Sequence, residues 1–353
     1  MTWHIVCLAG PTDAYVADSA PGDGVLRVPF DCPGDPDGLL TSIPDVLATH
    51  GLAAMPAAHD LLRAAAGAYA GDVRISRREA YNGWTRDLML HLPVSEPAGW
   101  ASGVPILQRL LAFLTGDHWS VRVRPVPGDY RPAPGHVQGQ VVQLDTETVS
   151  LFSGGLDSYI GAIDALAGGG QVVLVDHHAA GQGPISSAQR NALTAVHATY
   201  PAERSPFLRC WLSPPKGLSR ASETTTLGRS ILFLALGVAI ASGLGRARLL
   251  VPENGFISLN VPLTPPRSGS FSTRTTHPHL IALFAQLLAE LQIPVSLELP
   301  YRFRTKGEML ANCTDQTTLT RGLEATMSCA HPGAGRFVPG GSPTSTAATA
   351  CLA

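Results

Sequence analysis

Apolar and polar positions alternate with two different periods along the chain, and the pattern changes near its middle. Residues 3–8 read as an opening strand. Residues 11–38 are rich in Pro, Gly and Asp and are expected to be largely irregular. Two helical stretches, 44–49 and 57–68, follow, separated by Pro56. Residues 72–75 and 88–94 read as strands. In the second, Leu88, Leu90 and Leu92 alternate with Met89 and His91, so one face is apolar throughout. Residues 106–114 have helical spacing, and 119–124 alternate large apolar with basic residues, as a half-exposed strand does. Residues 1–135 are thus expected to be a smaller α+β domain. Arg77, Arg78 and Trp84 are expected on its solvated face, with a partner or nucleic-acid contact as the sharper alternative. The Pro- and Gly-rich run 125–135 breaks both periods and marks a domain boundary.

Residues 141–144 can form one more strand; from Val149 onward strands and helices alternate. Strand 149–152, helix 159–167 and strand 172–175 make a βαβ unit, which implies parallel strands. A loop at 181–184, a helix at 187–199 and a strand at 208–212 continue the pattern. Strands at 249–251 and 295–299 and helices at 231–244, 280–291 and from Thr305 complete it. The apolar run 231–244 is shorter than the roughly 18 residues a membrane span needs, so it is predicted to be a buried helix. The fold class expected for 136–330 is α/β with a parallel, Rossmann-like sheet.

Composition narrows this only a little. The 353 residues are 45% apolar, enough for a sizeable core in two domains. A net charge of −2 argues against a dedicated nucleic-acid binder. The six cysteines are scattered without a C-x-x-C pair, as fits reduced thiols in a cytoplasmic protein. No basic start followed by a long apolar run stands at the N-terminus, so no signal peptide is expected.

The chemistry concentrates at Ser153-Gly154-Gly155-Leu156-Asp157-Ser158, between the first strand and first helix of the βαβ unit. A helix start offers unpaired N–H groups and the positive end of the dipole to an anion. Two glycines let backbone approach it closely, and Ser153 and Ser158 add hydroxyl donors. Asp157 would repel a bare phosphate, so its presence implies a bridging divalent cation such as Mg²⁺. The chain has no Gly-Lys-Ser/Thr, which excludes a Walker A loop, and Leu151 stands where a nucleophile elbow needs Gly. Ligands of parallel sheets bind beyond the carboxyl ends of strands. That points also to Asp176 and to Glu253 and Asn254, an acceptor and an amide suited to a base-like edge. One ion rarely takes both His177 and His178, because neighbours on a strand point opposite ways. Arg229, at the start of an apolar helix, suits either a phosphate or a surface salt bridge. Arg274 and His277, in the polar stretch 268–277, suit substrate contacts or a solvated loop.

Ser-Gly-Gly-x-Asp-Ser resembles the signature of the PP-loop ATP pyrophosphatases, of the adenine nucleotide alpha hydrolase-like fold, and Ser153 to Ser158 match it without a gap. Those enzymes cleave ATP between the α- and β-phosphates. Gly228-Arg229-Ser230 is similar to the Gly-Arg-Asn of the QueC-like (7-cyano-7-deazaguanine synthase-like) branch, and Thr305-Lys306-Gly307-Glu308 to its Lys-x-Glu. With Pro252-Glu253-Asn254-Gly255, Ser272 to Pro278 and Ser328-Cys329, the resemblance extends to the QueC-like members of the Qat anti-phage defence system. It implies ATP-dependent adenylation of a deazaguanine-type acid, releasing AMP and pyrophosphate, with defence-system proteins as partners. It implies an ATP site at Ser153, Gly154, Gly155, Leu156, Asp157, Ser158 and Asp176, with Mg²⁺ and with Asp157, Arg229 and Lys306 catalytic. Glu253, Asn254, Arg274 and His277 would then face the substrate.

The C-terminus departs from that family. Cys329 matches the first of four zinc cysteines, but the C-x-x-C-x-x-C cluster is missing and only Cys351 follows. Cys329 and Cys351 with His331 are the remaining ligands, and two thiolates do not close a tetrahedral site. The stretch 331–353 is expected to be irregular. A nucleotide-binding scaffold of a defence complex is the alternative function. Sulfur transfer to tRNA is weaker, since it wants paired cysteines or a basic RNA-binding face.

Overall fold

The first sheet is built from near the N-terminus. Strand β1 (Thr2–Ala9) is followed by β2 (Gly24–Phe30), a two-residue β3 (Leu40–Thr41), helix α1 (Ile43–Thr49) and the long α2 (Pro56–Arg74). Strand β4 (Asp87–Val94), helix α3 (Gly103–Thr115) and β5 (His118–Pro125) complete it. Its order is β2-β1-β4-β5, and every pairing is parallel. This computed structural model describes residues 1–327 except 33–34, 36–37, 138, 179–183, 216–222, 224–226, 246 and 260–273.

Alternation along β1 sends Trp3, Ile5 and Cys7 into the core beneath α2. Small residues let the helix come close. A Cβ on Gly67 would lie 2.5 Å from Cys7 Sγ, and one on Gly71 2.3 Å from Ile5 Cδ1. Three expectations change here. The first sheet is parallel α/β, not α+β: α2 and α3 connect β2 to β4 and β4 to β5 and pack on the sheet, while β1 and β2 are joined without a helix and still pair in parallel. Strand β2 lies inside the stretch expected to be irregular; Leu26, Val28 and Phe30 alternate inward, and Pro29 is tolerated because β2 is an edge strand. Residues 72–75 are not a strand but the last turn and cap of α2, held there by burial of Asp72.

The second sheet follows the sequence pattern closely. Its elements are β6 (Thr148–Leu151), α4 (Leu156–Ala167), β7 (Val173–His178), α5 (Pro184–His197), β8 (Phe207–Ser213), α6 (Arg229–Gly243) and β9 (Arg248–Leu250). Then come α7 (Gly255–Leu259), α8 (Pro278–Glu290), β10 (Ser296–Glu298), α9 (Lys306–Ala311) and α10 (Gln316–Gly322). The order is β10-β9-β6-β7-β8-β3, parallel except for β3 against β8. The chain moves outward from β6 through β7 to β8, then returns to the other side of β6 for β9 and β10. Residues 141–144 form no strand; Val141 and Val142 are exposed, and Val142 N–H donates to Thr49 O at 2.9 Å.

The two sheets share one core. Helix α2 packs along α6, α3 packs on α8, and one apolar cluster joins Ile5, Leu62 and Leu90 to Leu232, Leu249 and Val173. Burial of α6 on nearly all sides explains its uninterrupted apolar sequence. No helix of the described residues is long and apolar enough to cross a membrane. Cys7, Cys32, Cys210 and Cys313 are free thiols.

Arg77 differs from both expectations for it. Its guanidinium is buried, donating to Asp117 Oδ1 at 2.8 Å and Oδ2 at 3.1 Å. Arg86 joins the same group with bonds to Asp117 and to Asp72 Oδ1 at 2.9 Å. Trp84 is exposed, as a solvated face requires.

Candidate active site at the strand-order reversal

The turn from Ser153 to Gly155 follows β6, the strand on whose two sides the sheet grows in opposite chain directions. Such a reversal opens a crevice at the carboxyl ends of the strands. Gly154 has φ +77°, and a Cβ there would come within 2.7 Å of the Gln189 backbone on α5. Only glycine meets both conditions without strain. Met327 N–H donates to Gly154 O at 3.1 Å and pins the turn from the other side. Ser158 Oγ donates to Gly155 O at 2.9 Å, and the Ser153 and Ser158 hydroxyls lie 3.3 Å apart. Leu156 opens α4 with its side chain in the core, so only its backbone N–H can serve a ligand.

Asp157 is buried in the first turn of α4. Its Oδ1 lies 3.0 Å from Lys306 Nζ, and its Oδ2 accepts from Asn254 N at 3.1 Å and Nδ2 at 2.5 Å. Lys306 is delivered by the first residue of α9, whose start is fixed by a capping box between Thr305 and Glu308. Asn254 Oδ1 in turn accepts from Ile257 N at 2.9 Å. Both ends of that amide are engaged inside the protein, so Asn254 holds Asp157 rather than presenting its amide to solvent.

Glu253 is half-buried beside them and lines a cavity of about 30 Å³ with Ser153, Ser158, Ser230, Thr275 and Thr276. A space of that size takes about one water. Burial, reinforced by Asp157 and opposed by Lys306, pushes the Glu253 carboxyl up to about 7. Asp176, at the end of β7, accepts from Gln189 Nε2 at 2.7 Å, with Arg209 Nε 3.8 Å from its other oxygen. Burial outweighs Arg229 and Arg209 and pushes it up to about 7 as well. His177 is driven down to about 3 by burial and then by Arg229, so it is neutral, and its ring lies edge-on to Tyr69 at 5.9 Å. Neither ring nitrogen has a hydrogen-bond partner among the described residues. Arg229, half-buried at the start of α6, donates from Nη2 to His177 O at 2.7 Å.

Ser153 to Ser158, Glu253, Asn254 and Lys306 therefore meet at one end of the sheet, with Asp176 and Arg229 around the end of β7. Arg274 and His277 lean instead on the first helical layer. The Arg274 guanidinium bonds Phe113 O and lies 4.6 Å over its ring, while His277 caps α8 and packs its ring 5.1 Å from Phe113. Between them, Thr275 reaches Ser230 Oγ and Thr276 reaches Ser258 Oγ, each at 2.9 Å. These two threonines, Gln189 and Tyr69 escaped the sequence reading, since nothing local distinguishes them from ordinary surface or core positions. No protein family, curated protein or solved structure matches the chain.

A larger groove, about 470 Å³, runs between α8 and the amino ends of β9 and β10, and is lined mainly by Ala, Leu, Ile and Val. It lies at the opposite end of the strands from the glycine turn and holds none of the charged groups above. Ser153, Ser158 and Glu253, singled out by the sequence, line the smaller space instead.

The residues at the turn fit Mg²⁺ with a nucleotide. Mg²⁺ takes one or two carboxylates and completes its shell with phosphate oxygens and water. Asp157, whose Oδ1 is ion-paired with Lys306, and the adjacent Glu253 are the two carboxylates there. Among the described residues no group of three or more His, Cys, Asp or Glu is placed to hold a metal. Ser328, Cys329, His331, Cys351 and residues 331–353 lie outside the described residues, as do 268–273 and 181–183.

Proposed function

We propose that this protein is a PP-loop enzyme of the QueC-like kind. It adenylates a carboxylate with ATP, releasing pyrophosphate. The substrate is a deazaguanine-type acid, and the reaction takes place in the cytoplasm as part of anti-phage defence. One observation carries the reading: the Ser-Gly-Gly-x-Asp-Ser turn stands at the strand-order reversal, with its Asp157 facing Lys306 at 3.0 Å.

The chemistry runs as follows. A carboxylate oxygen of the acid attacks the α-phosphorus of ATP. A new P–O bond forms, the α–β bridge breaks, and pyrophosphate leaves with the bonding pair. The glycine turn and the start of α4 offer N–H groups to the phosphates. Lys306 and Arg229 face the charge that builds on the leaving group, where fixed cations lower a barrier most. Asp176, neutral below about pH 7, borders the nucleoside side. Mg²⁺ held by Asp157 and Glu253 would reduce the negative charge of the triphosphate.

The small size of the cavity favours a second reading, a nucleotide-binding scaffold that turns nothing over. Incubation with Mg–ATP and 7-carboxy-7-deazaguanine separates the two. AMP and pyrophosphate from wild type, lowered at least about 100-fold in Asp157→Ala, support adenylation. ADP and phosphate would sink it. ATP binding that needs Gly154, without turnover, is the scaffold's outcome.

A further inference from the structure

The corner at 274–277 carries two threonines to the candidate site. His277 N–H donates to Arg274 O at 3.3 Å, which closes a turn with Thr275 and Thr276 at its centre. Both ends of this turn are anchored on Phe113 of α3. Arg274 bonds the Phe113 carbonyl and lies over its ring, and His277 packs its own ring 5.1 Å away. Thr275 accepts from Ser230 Oγ, in the first turn of α6, at 2.9 Å. Thr276 meets Ser258 Oγ on α7, also at 2.9 Å.

Counting protons gives the Thr276 contact a direction. A hydroxyl has one hydrogen to donate. Ser258 Oγ donates its own to Asn254 O at 3.0 Å, so Thr276 is the donor to Ser258. Asn254 in turn gives both its backbone N–H and its side-chain amide to Asp157 Oδ2. Thr276, Ser258, Asn254 and Asp157 are all buried, and a buried polar group that loses its partner is costly. The start of α7 is also tied to the turn before α9. Gly255 N–H donates to Tyr301 O at 3.1 Å and to Arg304 O at 2.9 Å, and a Cβ on Gly255 would fall 2.2 Å from Arg302 O. Residues 254–258 therefore join the two sides of the Asp157–Lys306 ion pair, and Thr276 is their tie to the corner on α3.

We propose that Thr276 and Ser258 are positioning residues for Asp157: through Asn254 their hydroxyls hold the carboxylate that fits Mg²⁺, and the Mg²⁺ affinity of the site depends on them. The inference rests on the adenylation reading of the site. Neither hydroxyl bonds Asp157 itself; each acts through Asn254. Removing a group that orients a metal-binding side chain commonly costs about 10–100-fold in affinity or activity.

Thr276→Val, Thr276→Ser, Ser258→Ala and the double variant of Thr276→Val with Ser258→Ala test it. AMP formation from ATP and 7-carboxy-7-deazaguanine is followed against Mg²⁺ concentration, Mg–pyrophosphate affinity by titration calorimetry, and folding by urea midpoints. Thr276→Val is expected to raise the Mg²⁺ needed for half-maximal rate about tenfold, with KM for the acid and the rate at saturating Mg²⁺ little changed. Pyrophosphate affinity at fixed Mg²⁺ falls by a similar factor. Thr276→Ser restores the donor and returns both readings to within about twofold of wild type. Ser258→Ala gives a similar loss and carries the test if Thr276→Val does not fold. The double variant loses no more than the larger single one, because the two hydroxyls belong to one chain. An unchanged Mg²⁺ requirement and affinity in folded variants, fully additive losses, or a raised KM for the acid at an unchanged Mg²⁺ requirement overturns the positioning role alone. Wild type that binds Mg–pyrophosphate but forms no AMP overturns adenylation, and the affinity series then decides the positioning role. Wild type that neither forms AMP nor binds Mg–pyrophosphate overturns both.

Discussion

Gly154 carries the tightest steric demand at the candidate site. Its φ of +77° and the 2.7 Å approach of Gln189 leave no room for a side chain. Gly154→Ala is expected to cost about 1–3 kcal/mol of stability, read from urea unfolding, and to abolish nucleotide binding. The buried carboxylates make a second prediction. Asp176 is raised from 3.8 to about 7, so between those values the folded chain holds a proton that the unfolded chain has lost. Stability from this group is complete below the lower value and is lost as pH rises through the upper one. Asp176→Asn still accepts from Gln189 and should gain on wild type in unfolding midpoint from about pH 5 to about pH 8; a constant difference would reject the shift. His177 has the opposite sign: lowered from 6.5 to about 3, it removes stability as pH falls below the ordinary histidine range. At this scale the residue types of the turn were legible, because Ser, Gly and Asp at that spacing suit one kind of chemistry. The partner of each was not. Asn254 was expected to face a substrate and instead holds Asp157, ninety-seven positions away in the chain.

Helix α9 is short, and its first residue carries Lys306. Its position depends on the capping box, in which Thr305 and Glu308 satisfy each other's backbone N–H groups. Thr305→Ala should lower unfolding free energy by about 1 kcal/mol, and should lower turnover as Lys306 loses its anchor. Unfolding and turnover measured on the same variant check both. Elements with a clean period were readable: β4 from its alternating leucines, α6 from an unbroken apolar run. Elements decided by their neighbours were not. Strand β2 hid behind Pro29, which only an edge position tolerates, and the end of α2 looked extended because Val73 and Ile75 are β-branched.

Across the whole molecule, the two sheets are joined by α2 on α6, by α3 on α8 and by β3, which crosses from the first third of the chain to pair with β8. Ser42 Oγ receives Trp211 N–H at 3.0 Å and locks that crossing. Unfolding is therefore expected to be one cooperative event. A Trp probe in the first sheet (Trp3 or Trp119) and one in the second (Trp211) should report coincident urea transitions, and separated midpoints would show two independent units. The amino-acid sequence by itself determined the βαβ alternation after Val149, the glycine turn with its carboxylate, and the buried character of α6. Each is written in a local period or a short run of residue types. Only the tertiary structure decided that the first sheet is parallel, that Arg77 is buried, and that Asp72 at the end of α2 accepts from Gly228 N–H just before Arg229. Those outcomes rest on hydrogen bonds and ion pairs between residues up to some 150 positions apart, and no local pattern encodes a partner at that distance.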